Sequence, residues 1–180
     1  MYYLGLDVGS SSVKAALVEA KSGKSIQSVH EPKNEMSISS LKNDWAEQDP
    51  NLWWKYTCAA IKRVCKESNI DPKKIISIGI SYQMHGLVIL DKNGEPLRDS
   101  IIWCDSRAVN IGDDAYEKLG KDKCMSHLLN SPGNFTASKL KWVKENEPDV
   151  YEKTHKYMLP GDFIAYKLTG EINTTRNGLS

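Results

Sequence analysis

Apolar and polar positions follow two rhythms along this 180-residue chain, and the first third carries the short rhythm of strands. Tyr2 to Leu6 and Val13 to Val18 are nearly continuous apolar runs. After the turn residues Ser22-Gly23-Lys24, a third segment, Ser25 to His30, completes a predicted meander. Asp49-Pro50 then reads as helix N-cap and first helical residue. Trp53, Tyr56, Ala60 and Val64 follow at helical spacing and give one apolar face to pack on the sheet. The helix is expected to end near Asn69. Beyond Asp71-Pro72, the run Ile75 to Ile80 reads as a buried strand, parallel to the first because a helix carries the chain back across the sheet. Leu87 to Leu90, the turn Asp91-Lys92-Asn93-Gly94 and Ser100 to Trp103 predict a further hairpin. The rest reads as mainly helical, over about Val109 to Leu119, Ala137 to Asn146 and Gly161 to Leu168, with Gly170 as the last stop. No repeat, low-complexity segment or linker divides the chain, so residues 1–180 are expected to form a single unit.

Composition narrows the partners. With 40% hydrophobic and 26% charged residues, the chain can bury a real core. A net charge of +1, with lysines and acids interspersed, gives no footprint for nucleic acid or an anionic membrane. The opening Met1-Tyr2-Tyr3-Leu4 lacks a basic leader and no run approaches a membrane span, so a cytoplasmic location is expected. Cys58, Cys65, Cys104 and Cys124 form no C-x-x-C pair and no ligand spacing with His30, His85, His127 or His155. Reduced thiols are expected, with Cys58 and Cys65 half-buried two helical turns apart.

Two constellations carry chemistry. The first is the opening D-V-G-S-S-S-V-K, Asp7 to Lys14, where a strand ends in an acid and turns through glycine and three hydroxyls. Gly9 lets the backbone approach phosphate oxygens, and Ser10, Ser11 and Ser12 offer hydroxyl and main-chain donors. Asp7 would repel phosphate, so its role there is to hold Mg²⁺ directly or through water. The same residues also suit a plain hairpin turn. Three strands, a helix and a parallel strand, with the acid at the end of the first strand, make an α/β arrangement of the ribonuclease H-like, actin-like ATPase kind. That fold hosts both two-metal nucleases and phosphoryl transfer.

The second constellation, S-Y-Q-M-H-G from Ser81 to Gly86, separates those chemistries. It falls where the parallel strand ends, the place where open α/β sheets bind ligands. Gln83 and His85 can hydrogen-bond a polyol, Met84 supplies an apolar wall and Gly86 a tight exit, whereas a nuclease would want carboxylates. The alternative is a lone histidine satisfied in the core.

These motifs together resemble the FGGY carbohydrate kinases. D-V-G-S-S-S-V-K, then W-A-E-Q-D-P at Trp45 to Pro50, G-I-S-Y-Q-M-H-G at Gly79 to Gly86, W-C-D-S-R at Trp103 to Arg107, and L-P-G-D-F with L-T-G-E between Leu159 and Glu171 occur in that family's order and spacing. Q-M-H-G resembles the xylulokinase branch, since the glycerol-kinase branch carries charged residues where this chain has Met84 and His85. The resemblance implies an incomplete N-terminal part, residues 1–180, of a two-domain sugar kinase. That enzyme would use ATP and Mg²⁺ to convert D-xylulose into D-xylulose 5-phosphate; ribulose or erythritol as acceptor, or a noncatalytic sugar-binding module, are the alternatives.

By the same resemblance, Asp7 supports the metal and phosphates, Gly9 to Ser12 and Lys14 bind the nucleotide, and Gln83, Met84, His85, Trp103 and Asp105 line the sugar site. Trp103 and Asp105 have an equal alternative, a buried strand tryptophan beside a surface ion pair of Asp105 with Arg107. Asp49 and Asp162 are expected at helix starts, and Glu47 as a brace of its loop. Family members continue well beyond this length and carry their general-base aspartate there, so the chain alone is expected to be inert, with homodimerisation possible. The family's T-D-x-S-x-A-S segment reads T-T-R-N-G-L-S here, from Thr174 to Ser180, which leaves the role of those residues open.

Overall fold

A computed structural model describes residues 1–175; of the stretch Thr174 to Ser180, residues 176–180 lie outside it. The expected meander forms as β1 (Tyr2–Val8), β2 (Val13–Glu19) and β3 (Ser25–Glu31), antiparallel throughout, with Gly23 at φ 70° in the second turn. After the short strand β4 (Glu47–Gln48), helix α1 (Pro50–Glu67) starts where the N-cap was read, Asp49 accepting from the Asn51 N–H at 2.8 Å. β5 (Ile75–Tyr82) then pairs parallel with β1, giving the sheet order β3-β2-β1-β5.

One face of that sheet is buried because every second residue of the central strands is apolar. Leu4 and Leu6 of β1, Ala15 and Leu17 of β2 and Val29 of β3 pack under Ala60, Val64 and Cys65 of α1. Full burial of one such side chain contributes about 1.5–3 kcal/mol, so this layer holds α1 in place. Val8 and Val13, at the end of the β1–β2 hairpin, instead join Trp53, Val88, Leu90, Ile102, Phe163 and Ile164. The turn end of the hairpin thereby packs against the second half of the chain.

Two expectations are corrected. β5 is a sheet edge rather than a buried strand: among the described residues β1 is its one neighbour, and Ile76 and Ile78 are 50% and 43% exposed. The hairpin expected between Leu87 and Trp103 also differs. Its turn forms, with the Asp91 N–H donating to Glu95 O at 2.9 Å, but Pro96 follows within one bridge of Leu90 and has no N–H to continue a ladder. The arms stay antiparallel through isolated bridges, the Leu97 N–H donating to Ile89 O and the Leu87 N–H to Ile101 O, both at 2.9 Å, while β6 (Val88–Leu90) forms its regular ladder with β8 (Lys156–Met158) and β7 (Ser100–Ile101) pairs with β4.

The helical half matches where the periodicity was long. α2 (Val109–Leu119), α4 (Thr136–Asn146) and α6 (Pro160–Thr169) lie where expected, the last stopped by Gly170 in the left-handed conformation. α3 (Lys121–His127) and α5 (Pro148–Lys153) are too short to leave a period in the sequence. All four cysteines are free; Cys58 is half-buried, Cys65 and Cys124 are buried and Cys104 is exposed. No helix among the described residues is long and apolar enough to cross a membrane.

Candidate active site at the ends of two parallel strands

The β1–β2 turn is held from behind. The Gly9 N–H donates to Ser12 O at 3.1 Å, and a Cβ on Gly9 would sit 3.2 Å from that same oxygen, so glycine suits the turn sterically. Buried Gln48 donates its amide to Ser10 O at 2.7 Å and to Ser37 O at 3.1 Å, while its own oxygen accepts from Trp53 Nε1 at 3.1 Å. The Met36 N–H donates to Ser11 O at 2.8 Å. With its backbone anchored this way, the turn leaves the Ser11 hydroxyl exposed and those of Ser10 and Ser12 partly so. Asp7, next to last in β1, faces Lys14 across the hairpin at 3.3 Å, an exposed pair.

Beside this hairpin, β5 runs in register with β1. Asp7 lies opposite Ser81 and Val8 opposite Tyr82, and the Gln83 N–H donates to Val8 O at 3.0 Å. The chain then leaves the sheet through Met84, which is 40% exposed, and His85, which takes the left-handed φ of 60°. Gly86 passes so close to α6 that a Cβ there would come within 2.5 Å of Pro160 Cγ. Both polar atoms of the Gln83 side chain are buried without a hydrogen-bond partner among the described residues. A primary amide in that state carries an unmet desolvation cost, and two donors with an oxygen acceptor suit it to hydroxyl groups.

His85 is neither a solvated surface group nor a satisfied core histidine. Its ring stacks on Phe135 with centroids 4.6 Å apart and planes at 15°. Burial first, and the Lys139 ammonium second, push its pKa below the ordinary imidazole value. The Lys139 Nζ donates to His85 O at 2.8 Å and to Asn134 O at 3.1 Å, and the amide of Asn134 donates to the backbone oxygen of Trp103. Trp103 itself is 48% exposed in the turn after β7, not buried in a strand, and its indole N–H reaches Ser10 Oγ at 3.4 Å. The β1–β2 hairpin and the Trp103 loop therefore touch.

Asp105 departs from both readings of it. It is 1% exposed, so it presents no face to a ligand, and its ion pair with Arg107 is buried rather than superficial. Its Oδ2 accepts from the Ala46 N–H at 2.6 Å, and both oxygens accept from the Arg107 guanidinium at 2.7–3.0 Å. The same guanidinium makes a 2.6 Å charge contact with Glu47 and lies over the rings of Trp45, at 3.8 Å, and Trp142, at 4.9 Å. Glu47 also pairs with Arg98, which reaches Glu147 at 2.7 Å. Glu47 braces its loop as expected, and Asp105 does the same from the other side. Asp162 lies in the first turn of α6, where burial raises its pKa.

Sequence reasoning missed Gln48, Asn134, Phe135 and Lys139. Lys139 had a signal, since it shares the buried stripe of α4 with Val143, where a charged residue is out of pattern. Gln48 sits inside the W-A-E-Q-D-P motif without its partners being legible there, and Asn134 and Phe135 had no signal, because their contacts depend on segments far away in the chain.

Residues 2–178 match the N-terminal domain of the FGGY family of carbohydrate kinases. The xylulose kinase of Staphylococcus xylosus is 34% identical over 174 residues, 96% of this chain and 35% of that protein. The crystal structure of a "xyloylose kinase" from Brucella ovis superposes with a TM-score of 0.83 at 35% identity, over 95% of this chain and 35% of that one. A gluconate kinase from Lactobacillus acidophilus gives 0.82 at 29% identity, covering 95% and 34%. The chain thus spans about a third of the length of the curated relatives it matches. An acid-ended strand, a serine turn and a Q-M-H-G exit at one end of the sheet, matched from residue 2 to residue 178, have one common explanation: the chain belongs to the FGGY family of carbohydrate kinases.

Proposed function

We propose that this chain supplies the phosphate-side hairpin and part of the acceptor pocket of an ATP-dependent kinase that converts D-xylulose to D-xylulose 5-phosphate, and that residues 1–180 are a partial N-terminal domain. The observation that carries this reading is the register of β1 with β5, which brings Asp7 and the Ser81–Gly86 exit to the same end of the sheet. The curated relatives' names support xylulose as acceptor.

On the donor side, the residues fit magnesium and polyphosphate. The Asp7 carboxylate is reachable by solvent, the serine turn presents hydroxyls and the Lys14 ammonium stands beside them, while the backbone behind is fixed. When bound, Mg-ATP supplies the phosphoryl group and neutralises its charge. Asp7 would hold the metal, Ser10, Ser11, Ser12 and the Gly9 backbone would orient the phosphates, and Lys14 would offset their charge.

On the acceptor side, Gln83, Met84, His85 and Trp103 would receive the sugar. The unpaired Gln83 amide would take hydroxyls, and the Trp103 face would cover C–H surface. A neutral His85 can accept or donate a hydrogen bond to a hydroxyl without adding charge. Asp105 shapes this pocket from within its buried network rather than touching the acceptor. No acid here is assigned the general base, and the chain by itself is expected to turn over no sugar.

The likeness to a gluconate kinase favours a second reading, phosphorylation of another open-chain polyhydroxy acceptor by the same groups. An ADP-release assay on the product of the whole gene, with D-xylulose, D-ribulose, erythritol and gluconate side by side, tests both. Preference for D-xylulose supports the first reading, preference for another acceptor the second, and no turnover with any of them removes both.

A further inference from the structure

Among the described residues, Lys139 is the most deeply buried lysine. It lies in α4 with 0% of its surface exposed, and its ammonium ends on two backbone oxygens rather than on a carboxylate. Burying an ammonium this way is costly, and charged neighbours offset it in part: Asp105 and Cys104 favour the charge, Arg107 opposes it. The two carbonyls belong to segments far apart in sequence. His85 O closes the exit from β5, in a residue whose φ of 60° few side-chain-bearing residues adopt. Asn134 O lies in the one-turn 3₁₀ helix (Pro132–Asn134) ahead of α4, and the Asn134 amide reaches on to the backbone of Trp103. A single ammonium therefore fastens the three segments that present Met84 and His85, Asn134 and Trp103.

We propose that Lys139 is a positioning residue of the acceptor site: its ammonium fixes the backbones of His85 and Asn134, and through Asn134 that of Trp103, into one surface for a polyhydroxy acceptor. This rests on the acceptor reading above and adds the group that sets the pocket's shape. Lysine suits the role because it offers three donors on a long stem, so it can bridge carbonyls that no neighbouring backbone N–H reaches.

The test is heteronuclear NMR on the protein produced from the whole gene, with D-xylulose titrated into wild type and Lys139→Met. In wild type, raising the pH from 7 to 9 moves the amides of His85, Gly86, Asn134 and Trp103 with one shared midpoint near 8, the depressed value that burial gives the ammonium. In Lys139→Met that shared titration is gone and the sheet amides of Leu4, Leu6, Ala15 and Leu17 are unmoved. Affinity for D-xylulose falls about tenfold or more, the scale of a lost charged hydrogen bond. Independent midpoints in wild type, or wild-type affinity in Lys139→Met, overturn the proposal and leave the acceptor reading standing. A wild-type chain whose His85, Asn134 and Trp103 signals ignore D-xylulose overturns both. If Lys139→Met does not fold, the wild-type pH titration decides alone.

Discussion

Asp7 stands directly opposite Ser81 in the parallel pairing of β1 with β5, so the serine turn and the Q-M-H-G exit leave the sheet side by side. Two residues 74 apart in sequence thus bring a carboxylate and the Ser81–Gly86 exit to one end of the sheet. On the proposed reading these two segments form the donor and acceptor sides of one site.

Asp7→Asn tests the donor side without disturbing the fold. Among the described residues its carboxylate pairs with the exposed Lys14 ammonium, and such surface pairs contribute about 0–1 kcal/mol. Urea denaturation is expected to place the variant within about 1 kcal/mol of wild type. Calorimetric titration with Mg-ATP is expected to show at least about tenfold weaker binding, the scale of a lost charge-assisted contact. Equal affinity for Mg-ATP would remove Asp7 from the metal site.

Gly86→Ala tests the tight exit. The new methyl would stand 2.5 Å from Pro160 Cγ and 3.1 Å from Cδ, so either the loop or the start of α6 must shift. Overpacking of this kind costs about 1–3 kcal/mol. A denaturation midpoint equal to wild type would show that Pro160 yields freely.

Arg107→Lys tests the buried brace. The guanidinium serves Asp105 at two positions, contacts Glu47 and fills the space between two tryptophans, with its side chain 1% exposed. A lysine cannot reproduce the fork, and breaking a buried ionic network costs about 3–5 kcal/mol. The measurement is the unfolding free energy, accompanied by the fluorescence of Trp45 and Trp142. A loss below about 1 kcal/mol would mean that the network is not tight in solution.

The pH dependence of stability has a distinct sign at Lys139. Burial lowers its pKa to about 8, so between there and the ordinary lysine range the unfolded chain holds a proton that the folded chain has released. Stability from this group therefore rises as pH climbs through that window and is lost as pH falls back toward 8. The thiols of Cys58, Cys65 and Cys104, raised by burial, act with the opposite sign and are common to both proteins being compared. Lys139→Gln is expected to lose the rise. Identical slopes for variant and wild type, followed by urea denaturation from pH 7 to 10, would contradict the buried charge.

Much of this protein was written locally. The alternation in β1 and β2, the Asp49-Pro50 start of α1, the helical stripe from Trp53 to Val64 and the glycine stop at Gly170 each depend on neighbours within a few residues, and each lies where the pattern put it. The motif residues of the serine turn and the Q-M-H-G exit were legible for the same reason, because turn chemistry and strand ends are local facts.

What the sequence could not decide were the partners of groups that meet across the fold. Leu87 to Leu90 and Ser100 to Trp103 read as a hairpin, and the arms do meet, Leu87 with Ile101 and Leu90 with Pro96, but the regular ladder of β6 is with β8, more than 50 residues away, which no local pattern announces. Asp105 looked like a ligand group until Ala46, Glu47 and Arg107 closed around it. Lys139 carried a charge whose purpose appeared only with the carbonyls of His85 and Asn134 in place. Hydrophobic periodicity fixes which face of an element turns inward; only the assembled chain settles which buried charges find one another, because that depends on distances no spacing along the sequence encodes.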